Sequence, residues 1–425
     1  MVMKPLNIFQ RCIRVWEEAH PYNAAQVLQV AGEADVGKIA AAWNEVLLAS
    51  GLGSARVVGR KFCYETAPRQ EVAVVDAQLG LEGFITQEMN RPFGDKGAVI
   101  PFRPFVLPGA GAYHMGLMYR HWVADSISLR RLLREWFCRL CDPGAVRGEP
   151  LHVPTGGLWR YFGPGRSGWS WAKGALSVVR STRQFSRVRR IEDVNNEQRV
   201  ECSLHRLPDG MVEALLEVAR RRQVTLHDLF LAALARACDA HGAAPRQCKS
   251  DLALGSIVDL RALSSENLEN TFSLFLGFTA VVIGGELLKD PEGLLASVAA
   301  QNAEQKARRA AAVSMLRMAA GYAQGRLLSP ERLAAFYRSY MPLSGGVSNV
   351  NMNRSWPAKY HPSPLLDYLR VAPTGPMVPV VIAATTMGRR LSFVLTRRAS
   401  LVDAVRGAEL ARTFIEELTA RANMG

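Results

Sequence analysis

The stretch whose reading decides the fold is Arg120-His121-Trp122-Val123-Ala124-Asp125-Ser126. Residues 113–121 ahead of it read as a strand. Behind it, Leu129, Leu132, Leu133, Trp136, Phe137 and Leu140 recur on one apolar helical stripe. The heptapeptide therefore sits where a strand ends and a helix begins. Such a junction lifts a side chain into a cleft while rigid elements hold its base. A histidine there, with an ordinary pKa of about 6.5, suits general-base work at neutral pH. Asp125 immediately precedes the helix and can cap it. Alternatively it turns inward to pair with a cation and lock the loop.

Outward from this point the first half reads as mixed α/β. A helix over 35–48 is closed by Gly51, and strands are expected at 57–64, 71–75 and 102–107. The turn Pro108-Gly109-Ala110-Gly111 joins the last of these to 113–121. Arg130, Arg131 and Arg134 lie off the apolar stripe of the following helix. In the second half, strands are expected at 200–207, 252–261, 272–283 and 347–350. A hairpin over 378–386 and 390–396 turns at Met387-Gly388-Arg389. Helices are expected at 210–222, 226–240, 291–320, 330–340 and 402–422. The reading is a mixed α+β fold of two α/β lobes, 1–155 and 196–425, with 156–195 as a crossover.

The 425 residues carry 52 Lys and Arg against 38 Asp and Glu, a net charge of +14. A balance of that sign favours acidic partners. Much of the excess has one address: 151–191 holds Arg160, Arg166, Lys173, Arg180, Arg183, Arg187, Arg189 and Arg190 and no acidic residue. Trp159, Tyr161, Phe162, Trp169 and Trp171 are interleaved with them. Such a segment could lie on an anionic membrane surface or touch an acidic protein or a phosphate. A nucleic-acid reading has only this charge behind it, since no helix-turn-helix, zinc or RNA-binding signature appears.

With 48% hydrophobic and 21% charged residues, the chain is neither disordered, collagenous nor coiled coil. No apolar run reaches the length of about 18 residues that spans a bilayer. The first residues are charged and aromatic too early for a signal peptide, so a cytoplasmic location is expected. The seven cysteines are scattered, as for reduced thiols. Cys138 and Cys141 have CxxC spacing but no companion pair, which points to ordinary thiols, and no metal is expected. Neither a phosphate-binding GxxxxGK[ST] loop nor a strand-bound GxGxxG occurs.

His121 and Asp125 resemble the second His and the Asp of the HHxxxDG motif. That motif marks the superfamily of nonribosomal peptide condensation domains, chloramphenicol acetyltransferase, wax ester synthases and plant BAHD acyltransferases. Other segments follow in the family's order. Asn90-Arg91-Pro92-Phe93 and Pro101-Phe102-Arg103 resemble its approach to the motif strand. Residues 224–234 resemble the helix that opens its second lobe. Ile257-Val258-Asp259-Leu260-Arg261, Asn270-Thr271-Phe272, Leu276-Gly277-Phe278 and Gly346-Val347-Ser348-Asn349 resemble its later strands. The resemblance spans nearly the whole chain. Two positions depart from the motif: Arg120 replaces its first His and Ser126 its Gly.

The resemblance implies two chloramphenicol acetyltransferase-like lobes arranged as a V, with an active-site tunnel at their interface. It implies His121 as general base and a structural pair of Asp125 with Arg261. Asn349, Ser126 and Ser348 are candidates to orient substrate or aid an oxyanion. The donor would be a phosphopantetheine thioester, on an acyl or peptidyl carrier protein or on acyl-CoA. The acceptor would be a small alcohol or amine, and no cofactor would be tightly bound. Contact with a membrane through 159–190 would make the protein peripheral to the inner membrane face. The competing reading, motivated by Arg120 and Ser126, is a non-catalytic docking module that binds a carrier protein in a biosynthetic assembly.

Overall fold

The computed structural model describes residues 3–66, 68–94, 97–144, 151–154, 179, 183–192, 197–245, 249–264, 266–355, 365–375 and 377–423. In chain order the first half forms β1 (Lys4–Pro5), α1 (Ile8–Trp16), β2 (Asn23–Ala31), α2 (Val36–Ser50), β3 (Ser54–Val58) and β4 (Lys61–Glu65). It continues with β5 (Ala73–Val74), α3 (Gly80–Asn90), β6 (Ala98–Val99), β7 (Phe102–Leu107), β8 (Ala112–Arg120) and α4 (Ser126–Cys141). Local chemistry explains several boundaries. Asn7 and Gln10 form a reciprocal capping box on α1. Asp35 caps α2, and Gly51 closes it in the left-handed region at φ 62°. The expected single strand over 57–64 is instead the hairpin β3–β4, because Gly59 at φ 59° lets the chain reverse.

The second half forms β9 (Val200–Arg206), α5 (Met211–Arg221), α6 (Leu226–His241), β10 (Leu252–Asp259), β11 (Leu276–Ile283), α7 (Pro291–Ala307) and α8 (Ala310–Gly325). After these come α9 (Pro330–Tyr340), β12 (Gly345–Asn351), β13 (Leu365–Val371), β14 (Val380–Met387), β15 (Arg390–Arg398) and α10 (Ala404–Asn423). The helix expected over 291–320 is two helices. Arg309 takes a left-handed conformation at φ 51° between them, and α8 turns to pack on β11 and α1. The strand expected from 272 begins at Leu276. The backbone before it is engaged elsewhere: Asp125 N donates to Ser273 O and Phe275 N donates to the Asp125 carboxylate.

A five-stranded sheet in the order β13-β2-β8-β7-β5 organises the first lobe, and a six-stranded sheet β11-β10-β12-β14-β15-β9 organises the second. A smaller sheet, β1-β4-β3-β6, flanks the first lobe. The lobes share a strand boundary. β13 comes from the second half of the sequence, yet it pairs antiparallel with β2 from Ala25 to Val30. A buried cluster joins the two sheets, with Ala25, Val27, Phe105 and Met118 on one side and Val200, Cys202 and Val394 on the other. The described end of the crossover is anchored on the second lobe: Val188 bridges to Asp251, and Arg189 pairs with Asp239 at 2.8 Å. Most of 159–190 lies outside the described residues, including Arg160, Arg166, Lys173, Arg180 and the five aromatic residues. Among the described residues no helix is long and apolar enough to cross a membrane.

Candidate active site

β8 is the central strand of its sheet, hydrogen-bonded to β2 and β7 along its length. The strand delivers His121 rigidly. The last pair of the β2–β8 ladder is Asn23 with Arg120, and one residue further His121 N donates to Tyr22 O at 3.1 Å. A short turn follows, and α4 begins at Ser126.

The His121 ring packs between Tyr22 and Tyr119, with ring centroids 5.7 and 5.6 Å away. Its Nδ1 lies 3.2 Å from Ala124 O. A carbonyl oxygen only accepts, so Nδ1 carries the proton and Nε2 keeps its lone pair. Burial pushes the His121 pKa below the ordinary value, against weaker upward pulls from Ala124 O and Asp125. The imidazole is therefore neutral at neutral pH. It lines a cavity of ≈ 220 Å³ between the lobes. Part of its lining is apolar and aromatic, built by Phe9 and Trp16 of α1, Met318 of α8 and Tyr337 of α9.

Asp125 is engaged in structural contacts. It is fully buried. Its Oδ1 accepts from Ile127 N at 3.1 Å and Ser128 N at 2.9 Å, which caps α4. Arg261 grips both carboxylate oxygens, at 2.7 and 3.2 Å. The two alternatives left open by the residues alone, cap and ion pair, are thus both realised. Burial alone would raise the Asp125 pKa. The Arg261 charge and the hydrogen bonds outweigh it and hold the carboxyl below its usual value. Arg261 also donates to Ser128 Oγ at 2.8 Å and to Asp259 at 3.1 Å. The contacts to Asp125 and Ser128 cross from the second lobe to the first and fix the floor of the motif turn.

The two departures from the motif have distinct fates. Arg120 turns away from the cavity and pairs with Glu17, with Nε 3.0 Å from both carboxylate oxygens. It lines a separate groove with Arg14, Glu18 and Trp122. Ser126 lines the cavity, and its hydroxyl accepts from Gln26 Nε2 at 3.1 Å. Ser348 and Asn349 of β12 line the same cavity. The Asn349 Oδ1 is buried and finds no partner among the described residues. The structure therefore brings His121, Ser126, Ser348 and Asn349 onto one cavity and sets Asp125 with Arg261 behind it. Arg130 lies off the apolar stripe of α4 yet is buried, against Met352. Sequence reading missed Tyr22, Gln26 and Arg370, which also line the cavity. His227 is hydrogen-bonded to Ser256 Oγ at 2.8 Å, and Cys138 and Cys141 lie at the end of α4.

Residues 196–336 match the family model for the phthiocerol/phthiodiolone dimycocerosyl transferase C-terminus. No curated protein sequence matches the chain. Among solved structures, the first condensation domain of the CDA synthetase aligns with TM-score 0.72 at 14% identity, over 99% of this chain and 96% of that one. The condensation domain of the monacolin K polyketide synthase MokA aligns with TM-score 0.68 at 13% identity, over 100% and 98%. The X-domain in complex with OxyB from teicoplanin biosynthesis aligns with TM-score 0.62 at 17% identity, over 100% and 94%. The whole chain has the condensation-domain fold. The family match over residues 196–336 falls within the second lobe of that fold.

Proposed function

We propose that the protein is an acyltransferase that moves an acyl group from a thioester to a hydroxyl or amine, with His121 as general base. One observation carries the reading: His121 lines an interlobe cavity with its Nδ1 held against Ala124 O, an arrangement that leaves the Nε2 lone pair available to take a proton. In the reaction, Nε2 takes the proton of the acceptor as its oxygen or nitrogen attacks the thioester carbonyl. The tetrahedral intermediate then collapses, the C–S bond breaks, and the proton passes to the leaving thiolate. The donor is already activated, so no covalent enzyme intermediate is needed. The apolar part of the cavity lining suits the acyl chain. The thioester is that of a carrier-protein phosphopantetheine or of CoA.

The competing docking-module reading rested on Arg120 and Ser126. Arg120 is paired with Glu17 outside the cavity and leaves it unobstructed. Incubating the full chain with acyl-CoA, acyl-loaded carrier protein and a panel of alcohols and amines separates the two. Mass spectrometry should find an ester or amide that forms over many turnovers. Carrier-protein binding with no product from any pairing would leave the docking module as the correct reading.

A further inference from the structure

The cavity wall contains a buried cation that the proposed reaction does not use. Arg370 projects from β13, is 4% exposed, and lines the cavity beside Ser126 and Ser348. No carboxylate among the described residues pairs with it. Among the described residues its guanidinium donates only to neutral oxygens: Ser348 O at 2.8 Å, Ala384 O at 2.7 Å, Ser348 Oγ at 3.1 Å, Thr385 Oγ1 at 3.3 Å and Ser126 Oγ at 3.5 Å. A buried cation without a counter-charge is costly. Burial accordingly lowers its pKa to about 10.

The surroundings do not repair the imbalance. Arg130 is a second buried guanidinium close enough to repel Arg370. The neighbouring carboxylates, Asp125 and Asp259, are both held by Arg261. Among the described residues, three guanidinium groups, Arg130, Arg261 and Arg370, are thus set against two carboxylates. The hydroxyls supply the complementary geometry. Ser126 Oγ accepts from Gln26 and from Arg370, so both its lone pairs are engaged. Its own hydrogen finds no acceptor among the described residues. Ser348 Oγ likewise accepts from Arg370 and keeps its O–H to donate. Two polarised hydroxyl donors, backed by one uncompensated positive charge, open onto the cavity that holds His121.

We propose that Arg370, Ser126 and Ser348 form a carboxylate-binding subsite, so that one of the two reactants carries a free carboxylate. This inference rests on the acyl-transfer reading for its role but is tested by binding alone. The carboxylate could belong to the acceptor, as a hydroxy or amino acid, or to the far end of a dicarboxylic acyl donor. Calorimetric titration of the full chain distinguishes these with two matched pairs. The acceptor arm compares 2-hydroxy-4-methylpentanoate with its primary amide, and the donor arm compares succinyl-CoA with butyryl-CoA. In one arm the acid should bind at least tenfold tighter than its neutral partner. Arg370→Met, which removes a buried charge and keeps an apolar side chain of similar length, should reduce that preference to within twofold while neutral probes bind as before. Arg370→Lys should retain part of it, and His121→Ala should retain all of it. Equal or undetectable binding of acid and neutral probe in both arms overturns the proposal, as does a preference that survives Arg370→Met. A preference with no acyl transfer would leave the subsite standing and the acyl-transfer reading fallen.

Discussion

His121 can act as a base only if its lone pair faces the cavity, and a single backbone acceptor, Ala124 O, sets that orientation. Burial lowers its pKa, so the neutral form persists below the ordinary value of about 6.5. The acid limb of kcat/KM against pH should therefore fall with a midpoint below 6.5; a midpoint above that value contradicts the assignment. Behind His121, Asp125 and Arg261 act on shape. Removing the Arg261 guanidinium strands a buried carboxylate, so Arg261→Ala should cost about 3–5 kcal/mol in denaturant unfolding. A loss under about 1 kcal/mol would show that the pair is not holding the lobes in register. His121, Asp125 and Arg261 were legible because motif order and strand–helix junctions place them. Arg370 was not. A single arginine in Leu369-Arg370-Val371 carries no local sign of burial, and only the tertiary stacking of β12 and β14 on β13 buries it.

Among the elements, the strongly periodic ones were readable to within a few residues: β7, β8, α4, α6, α9 and the β14–β15 hairpin. The failures have physical causes. Gly59 divides an apparently continuous strand and Arg309 an apparently continuous helix: a glycine permits a left-handed φ without requiring it, and an arginine gives no sign of one. Gly277 illustrates the reverse case, a glycine demanded by packing. A Cβ there would lie 2.2 Å from Ala311 O on α8, a backbone atom with little room to retreat. Gly277→Ala should push α8 off β11 and destabilise by about 1–3 kcal/mol, read as a lowered denaturant midpoint. Unchanged stability would mean that α8 shifts freely and does not define the cavity wall.

For the whole molecule, the two-lobe plan was visible in the sequence, but the exchange of β13 was not. Pairing across more than 330 residues of chain leaves no local trace, although it completes the first sheet and carries Arg370 to the cavity. The first lobe therefore depends on the second for an edge strand and for the partner of Asp125. Residues 1–195 expressed alone should fail to give a cooperative unfolding transition; a stable, sharply melting fragment would contradict this. The basic crossover keeps its own test. Arg187 and Arg189 pair with Asp251 and Asp239, so they serve the second lobe. Neutralising Arg160, Arg166, Lys173, Arg180 and Arg183 should abolish co-sedimentation with anionic liposomes if 159–190 lies on a membrane; unchanged sedimentation would dismiss that contact.

The central claim is that the His121 imidazole removes the acceptor's proton. Its most direct test is the rate of acyl transfer by His121→Ala beside the wild-type protein, with thermal unfolding measured on both. A folded variant slowed by about 10²–10⁴-fold is the predicted result. A folded variant that transfers acyl groups at the wild-type rate would contradict it.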